Sequence, residues 1–338
     1  MFYPEHVDWN RRMREEWDRR AREDAQRYIY TGDQPGDVQG FEASGEANYK
    51  QLVRPFLPIL LNGRPAAGCK VVEIGCGTGR MTEWFAREFG QVEAVDISPE
   101  MIGIARRRLE AFKNILFHEG SGSDLEPVPA ASAEFVFSYI VFQHIPSKEA
   151  IAGYVREAAR VLRDGGAFKF QVNGDQSPGY RAHERDTWLG ETFSEREMAE
   201  MLDAAGFSIL TSEGAGTQFY VVTARKGPLP ESRPYVLAGE PWAEECLLEG
   251  FGPPVNGSWR PMEGRARLRL RGCGARLYLG VYFWPGSCRH RLSLAGHSFR
   301  VERPGDHYFE CPARGREIEI HLDPPPARPP AFRVIGLY

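Results

Sequence analysis

The chain has 338 residues, with 42 Lys and Arg against 46 Asp and Glu and a formal charge of -4. It is long enough for two ordinary domains, and its charge gives no reason to expect nucleic acid or an anionic membrane surface as a partner. No apolar run approaches a membrane span, and Met1-Phe2-Tyr3-Pro4-Glu5 followed by charged residues does not read as a signal peptide, so the cytoplasm is the default location.

Residues 8–30 are highly charged, with Trp17, Ala21, Ala25 and Tyr28 three or four apart, the spacing of an amphipathic helix. A break rich in Gly, Pro and Asp runs from Gly32 to Gly40, and a second helix is predicted at about 46–61, carrying Leu52, Phe56, Ile59 and Leu60. From Lys70 strands alternate with helices. Strands are predicted at 70–74, 92–96, 115–118, 134–139, 167–172, 207–213 and 217–225, and helices at 79–89, 99–112, 148–162 and 194–205. This alternation implies an α/β fold with a parallel sheet covered on both faces. A short Gly-Ala-Gly turn between the last two strands makes them an antiparallel hairpin.

Composition shifts at Gly227-Pro228-Leu229-Pro230, and Lys226 is the last lysine. Beyond it, apart from a turn near 241–247, short alternating runs stand at 265–271, 276–283, 290–295, 298–302, 307–311, 317–322 and 332–337. They are separated by Gly, Pro and charged turns, the pattern of a β-sandwich of about 100 residues. The six cysteines, at 69, 76, 246, 273, 288 and 311, form no CxxC pair. Cys288 and His290 lack a second pair, so no metal site is expected, and the thiols read as reduced and structural, with a disulfide among the four of the last third as the alternative.

The most informative stretch is Val71-Val72-Glu73-Ile74-Gly75-Cys76-Gly77-Thr78-Gly79-Arg80. An apolar strand runs into a glycine turn, which lets backbone approach a ligand closely. The dinucleotide fingerprint G-x-G-x-x-G fails, because Arg80 takes its final place. Glu73 would repel a pyrophosphate but suits a ligand bearing ammonium and sulfonium groups. Asp96, ending the next strand, is placed to accept hydrogen bonds from ribose hydroxyls.

With those residues in view, 70–226 resembles a class I S-adenosylmethionine-dependent methyltransferase. The matching runs are Glu73–Gly79, Val95-Asp96-Ile97-Ser98-Pro99-Glu100-Met101, Phe135-Val136-Phe137-Ser138-Tyr139 and Arg160-Val161-Leu162-Arg163-Asp164-Gly165-Gly166. The resemblance implies a Rossmann-like seven-stranded sheet with a reversed final hairpin, and S-adenosyl-L-methionine as cofactor. It implies that Gly75, Gly77 and Gly79, with Cys76 between them, line the methionine part, while Glu73 supports that loop and the amino group. Asp96 holds the ribose, Ile97 packs on adenine and Met101 covers its other face. Gly122 and Ser123 stand at the adenine edge, and Tyr139 faces the transfer region. Many relatives carry Asp where Ser121 stands, so a carboxylate contact to the adenine amine is not carried over.

Methyl transfer from a sulfonium needs mainly positioning, and a hydroxyl nucleophile also needs a base. His144, in Phe142-Gln143-His144-Ile145-Pro146 after the fourth strand, is the candidate base, with loop orientation or helix capping as its alternative role. Gln171, Asn173 and Asp175 are candidates for the acceptor pocket or for a simple turn, and 181–188 for an acceptor-side flap. The N-terminal helices resemble a lid, with Trp17, Tyr28 and Tyr30 as its aromatics.

In the last third, Arg265, Arg267, Arg269 and Arg271 share one strand face, either a solvated face or a rim for anionic sugars or phosphates. Trp259, Tyr278, Tyr282, Phe283 and Trp284 read as sandwich core or a sugar-stacking surface. The sandwich resembles jelly-roll or galactose-binding-like modules of bacterial glycan enzymes, an analogy of fold only, and it equally suits a homodimer interface. The expected organisation is a lid region at 1–66, a cofactor domain at 67–226 and a jelly-roll-like sandwich at 227–338. The expected activity is O-methylation of a bacterial glycan or glycosylated natural product. N- or C-methylation of another small molecule and a non-catalytic cofactor-binding scaffold are the alternatives.

Overall fold

A computed structural model describes residues 8–30, 38–177, 186–229, 235–255, 259–271, 275–286 and 289–337. They fall into two compact units, one within residues 1–49 and 64–228, the other within 50–63 and 229–338. The segment 50–63, which sequence groups with the lid region, thus clusters with the C-terminal unit.

The first unit opens with α1 (Trp9–Ile29), whose first turn is capped by the Asp8 carboxylate accepting from Arg11 N–H. Asp24 has φ -168 and ψ 86, so the helix is kinked there. The second helix differs from its predicted span. α2 runs Val38–Leu52, a 3-10 turn takes Arg54–Phe56, and α3 is only Leu57–Leu60. Pro55 and Pro58 lack the N–H that one continuous helix would need.

The sheet of this unit has strands β1 (Lys70–Ile74), β2 (Gln91–Asp96), β3 (Ile115–Glu119), β4 (Ala133–Ser138), β5 (Leu162–Val172), β6 (Phe207–Glu213) and β7 (Tyr220–Lys226). Their order is β3-β2-β1-β4-β5-β7-β6, with β7 antiparallel to both neighbours. This is the Rossmann-like, seven-stranded mixed sheet. Between strands lie α4 (Thr82–Glu88), α5 (Pro99–Arg108), α6 (Lys148–Val161) and α7 (Glu195–Ala204). Ser98, Ser147 and Ser194 cap the last three, Ser194 in a reciprocal capping box with Glu197. β4 is buried along its whole length and β1 at Val71–Ile74, as expected of strands covered on both faces. α6 turns Ile151, Val155, Ala158 and Val161 onto one face in a core shared with Val72, Val136, Phe168 and Val222.

The order reverses between β1 and β4. In open α/β sheets, ligands bind beyond the carboxyl ends of the strands at that switch point.

The second unit is all-β and antiparallel. Its strands are β8 (Tyr235–Leu237), β9 (Leu247–Phe251), β10 (Arg260–Arg269), β11 (Arg276–Phe283), β12 (His290–Leu294), β13 (His297–Val301), β14 (Gly305–Pro312), β15 (Glu317–Asp323) and β16 (Ala331–Leu337). β8, of only three residues, and β9, whose Leu247-Leu248-Glu249-Gly250-Phe251 does not alternate, escape the sequence reading. The order is β13-β12-β15-β10-β16-β11-β14, with β8 on β16 and β9 on β10. β10 joins two halves, since Arg260 and Pro261 pair with β16 while Arg265–Arg269 pair with β15. Alternate residues of both halves, among them Leu279, Phe283, Leu292, Ile320 and Phe332, meet in one core. Segment 50–63 is tied to this unit by hydrogen bonds from the Tyr278 and Tyr308 hydroxyls to the carbonyls of Arg54 and Lys50.

The arginine stripe is largely neutralised. Arg267 lies 3.7 Å from Glu249 and Arg271 2.9 Å from Glu245, while Arg269 pairs with Glu317. That pattern suits a solvated face better than an anion-binding rim. The aromatics divide, with Tyr278 and Phe283 buried and Trp259, Tyr282 and Trp284 half-buried. Among the described residues the cysteines 69, 76, 246 and 311 are buried and free, and no cluster of metal-ligating side chains occurs. Among those residues no helix is long and apolar enough to cross a membrane. Cys273, Cys288 and most of the 181–188 segment lie outside the described residues.

Candidate active site

The glycine turn is fastened to the end of β2. Gly75 and Cys76 N–H both donate to the Val95 carbonyl, at 2.7 and 3.0 Å, and Gly77 N–H donates to Asp96 Oδ2 at 2.7 Å. Gly75 has φ +74°, and a Cβ there would lie 2.3 Å from Val141 Cγ2. A Cβ on Gly77, at φ +54°, would lie 2.8 Å from Ile29 Cδ1 of α1. Backbone conformation and close approach both demand glycine here.

Beside the turn opens a pocket lined wholly from the first unit, concave and part apolar, part polar, as small-molecule sites are. Glu73, Gly75, Cys76, Gly77 and Asp96 form its floor, and Ile97, Met101, Gly122, Tyr139 and His144 its walls. Ten of the twelve sequence-chosen residues therefore converge.

Gly79 and Ser123 do not line it. Gly79 instead supports the turn from behind, where a Cβ would lie 2.7 Å from Leu109 Cδ1 and where its carbonyl accepts from Arg108. Ser123 accepts from Asn10 Nδ2 of α1 at 3.2 Å. Ser121 hydrogen-bonds Asp124 at 2.6 Å. Of the lid aromatics, Trp17 and Tyr28 line the cavity and Tyr30 does not. Gln171 is buried behind the wall, where its side chain bonds Gln143 and the Ile140 N–H, and Asn173 Oδ1 caps a turn by accepting from Asp175 N–H.

The electrostatics follow from burial. Glu73 is pushed up to about 8 by desolvation, against the hydrogen bond it accepts from the Thr82 hydroxyl at 2.6 Å and the charge of Arg80. Desolvation raises Asp96 to about 6, opposed by the N–H groups of Ser98 and Gly77. The Cys76 thiol is raised well above its usual range by the same burial, which makes it an inert packing group. Burial raises the Tyr139 hydroxyl as well, with Arg80 opposing.

The sequence reading missed several lining residues. Met13, Ile29, Met81, Ile140 and Tyr154 carry no motif and reach the cavity only through packing, and Ile145 was passed over beside His144. Ile140 adopts φ +57°, a strained conformation for a β-branched side chain at the turn after β4. Arg80 entered the sequence argument only as the residue that breaks a fingerprint. It is 7% exposed, lines the cavity, and its Nε has no hydrogen-bond partner, while Nη1 reaches only Ser44 Oγ at 3.4 Å. A guanidinium buried in the cavity wall, with a donor left unpartnered, suits an anionic ligand group.

His144 is placed as expected but is not poised as expected. Desolvation lowers it to about 4, against the hydrogen bond of Nδ1 to the Trp188 carbonyl at 2.7 Å. Its Nε2 lies 3.1 Å from Gln143 Nε2. Both nitrogens are engaged, and the ring is a far weaker proton acceptor than a free imidazole.

Residues 72–170 match the family model described as a methyltransferase domain. The chain carries a class I S-adenosylmethionine-dependent methyltransferase domain. It is 38% identical over 100 residues to a demethylmenaquinone methyltransferase of Tropheryma whipplei, covering 30% of this chain and 40% of that protein. It is 35% identical over 101 residues to a ubiquinone biosynthesis O-methyltransferase of Xanthomonas oryzae pv. oryzae, covering 30% and 41%. The chain thus spans about two fifths of the length of these curated relatives. Among solved structures it shares its fold with phosphoethanolamine N-methyltransferase 1 of Haemonchus contortus, crystallised with phosphoethanolamine and S-adenosylhomocysteine. The TM-score is 0.51 at 17% identity, over 69% of this chain and 53% of that one. The methyltransferase domain accounts for the order of β1 to β7 and for the position of the cavity.

Proposed function

We propose that this chain transfers a methyl group from S-adenosylmethionine to a small-molecule acceptor bound in the cavity of its first unit. The observation that carries the reading is the convergence of Glu73, the Gly75–Gly77 turn, Asp96 and Arg80 on that cavity. Their chemistry fits the cofactor group by group. Glu73 takes the ammonium and the Arg80 guanidinium the carboxylate. Asp96, with lone pairs left after accepting from Gly77 and Ser98, takes ribose hydroxyls. Ile97 and Met101 supply apolar walls for adenine, with Gly122 leaving room beside them. The cofactor brings an already activated methyl group, so the remaining task of the protein is to orient an acceptor and exclude water. Trp17, Tyr28 and Tyr139 line the cavity and form the aromatic wall of the acceptor side.

Two acceptor classes follow. A quinone-type acceptor is suggested by the names of the two relatives. A glycan or glycosylated natural product is favoured by one feature of the second unit, the half-buried Trp259, Tyr282 and Trp284. Their rings meet edge-on at 5.5 and 5.0 Å, with Arg328 stacked 3.8 Å from the Trp284 ring centre. Arg328 occupies one face of Trp284, so sugar stacking falls to the half-buried Trp259 and Tyr282.

Calorimetry with S-adenosylhomocysteine tests the cofactor claim. Wild-type protein should bind and Asp96→Ala should lose at least about tenfold in affinity, the scale of one charge-assisted hydrogen bond. Unchanged affinity would refute the site. An acceptor screen following S-adenosylhomocysteine release tests turnover. Failure of every hydroxyl, amine and carbon acceptor to give release would leave the chain a cofactor-binding scaffold.

A further inference from the structure

At residues 186–191 the chain returns to the turn that follows β4, behind the cavity-lining His144 and Ile145. Gly190 N–H donates to the Gln143 carbonyl at 2.8 Å and Glu191 N–H to the Ile145 carbonyl at 3.0 Å. A Cβ on Gly190 would lie 2.6 Å from Ile145 N and O, so the two backbones are in direct contact. Asp186 Oδ1 accepts from Trp188 and Leu189 N–H, each at 2.7 Å, and closes the segment into a turn. From the other side α1 grips it. Arg20, 6% exposed, donates to the Thr187 carbonyl at 3.2 Å, and Glu16 accepts from the Thr187 hydroxyl. The Arg20 guanidinium lies 4.7 Å from the Trp17 ring centre, 5.5 Å from Trp188 and 6.0 Å from Tyr28.

His144 sits at the centre of this junction, 5.1 Å from the Trp188 ring and 5.5 Å from Trp17. A buried chain of hydrogen bonds dictates its protonation. Ile140 N–H donates to Gln171 Oε1 at 3.0 Å, so the other end of that amide is its NH₂. That group donates to Gln143 Oε1 at 3.0 Å, and the Gln143 NH₂ then donates to His144 Nε2 at 3.1 Å. Nε2 must be bare, and Nδ1 carries the proton given to the Trp188 carbonyl. A backbone donor at one end and a backbone acceptor at the other leave no alternative polarity.

We propose that His144 is a positioning residue: locked as its Nδ1–H tautomer between Gln143 and the Trp188 carbonyl, it holds segment 186–191 on the turn after β4, within the grip of Glu16 and Arg20 of α1. This rests on the reading of the cavity as a methyl-transfer site, and it removes His144 from the role of base. The charged groups facing the ring are Arg20, which disfavours the imidazolium, and Asp186, which favours it, and burial outweighs both.

The test uses the full chain with His144→Ala and His144→Asn, the latter keeping an N–H that reaches the Trp188 carbonyl. Hydrogen exchange of the 188–191 amides should be about tenfold faster in His144→Ala and return to within about threefold of wild type in His144→Asn, as loss and recovery of one buried hydrogen bond imply. Nitrogen-15 spectra of the wild-type imidazole should show the neutral Nδ1–H form from pH 7 down to pH 5, above its lowered ionisation. Unchanged exchange in His144→Ala, no recovery in His144→Asn, or a proton on Nε2 near neutrality would each overturn the proposal. Calorimetry of S-adenosylhomocysteine on wild-type protein judges the methyl-transfer reading separately.

Discussion

Glu73 shows at the residue scale how burial prepares a site for a cation. Glu73 is raised to about 8, so at pH 7 it is mostly protonated without ligand. A bound ammonium favours the carboxylate, so binding of the cofactor should expel up to about one proton at pH 7. Calorimetry in two buffers of different ionisation enthalpy measures this, and Glu73→Gln should release clearly less. The same shift acts on stability. Between pH 4.5 and 8 the native state holds a proton on Glu73 that the unfolded chain has lost, so this residue's contribution falls as pH rises through that window. Arg80 offers a second measurement. In wild type, decarboxylated S-adenosylmethionine should bind roughly 10- to 100-fold more weakly than S-adenosylmethionine, the loss of a charge-assisted bond. Arg80→Gln should largely abolish that preference, and a preference kept intact would remove the carboxylate from Arg80.

Turns carry the site's precision at the scale of elements. Gly75→Ala puts a methyl 2.3 Å from Val141 at φ +74°. The left-handed conformation alone costs about 1–2 kcal/mol. Urea unfolding should show at least that loss, together with weakened S-adenosylhomocysteine binding, and Val141→Ala in the same chain should recover part of it. Helix spans were legible where caps are local, as at Ser98-Pro99, Ser147 and Ser194. They failed at 46–61, where apolar spacing suggested one helix and two prolines divide it.

For the whole molecule, the grouping of residues 50–63 with the C-terminal unit has a consequence for truncation. A chain ending at residue 228 keeps that segment but loses Tyr278 and Tyr308, which hold the Arg54 and Lys50 carbonyls. It should unfold at lower temperature and self-associate more than the full chain, as light scattering during a thermal ramp would show. Phe283, fully buried where β11 meets the common core, sets the scale for the second unit. Phe283→Ala should cost about 3–5 kcal/mol in urea unfolding.

From the sequence alone came the alternation that makes an open sheet, the glycine turn with Glu73 before it and Asp96 after it, and most of the cavity residues. These are local in cause: a strand's burial pattern, a turn's need for glycine and a strand-end acid are written in neighbouring residues. Tertiary structure decided the rest, because it depends on groups brought together from afar. Gly79 and Ser123 belong to motifs yet turn away from the cavity. Arg80 became a site residue only when Nε proved to have no partner. The protonation of His144 is dictated by a carbonyl 44 residues away and by a glutamine 28 residues from its neighbour Gln143. No spacing in the chain encodes that relay, since it exists only where folded backbones meet.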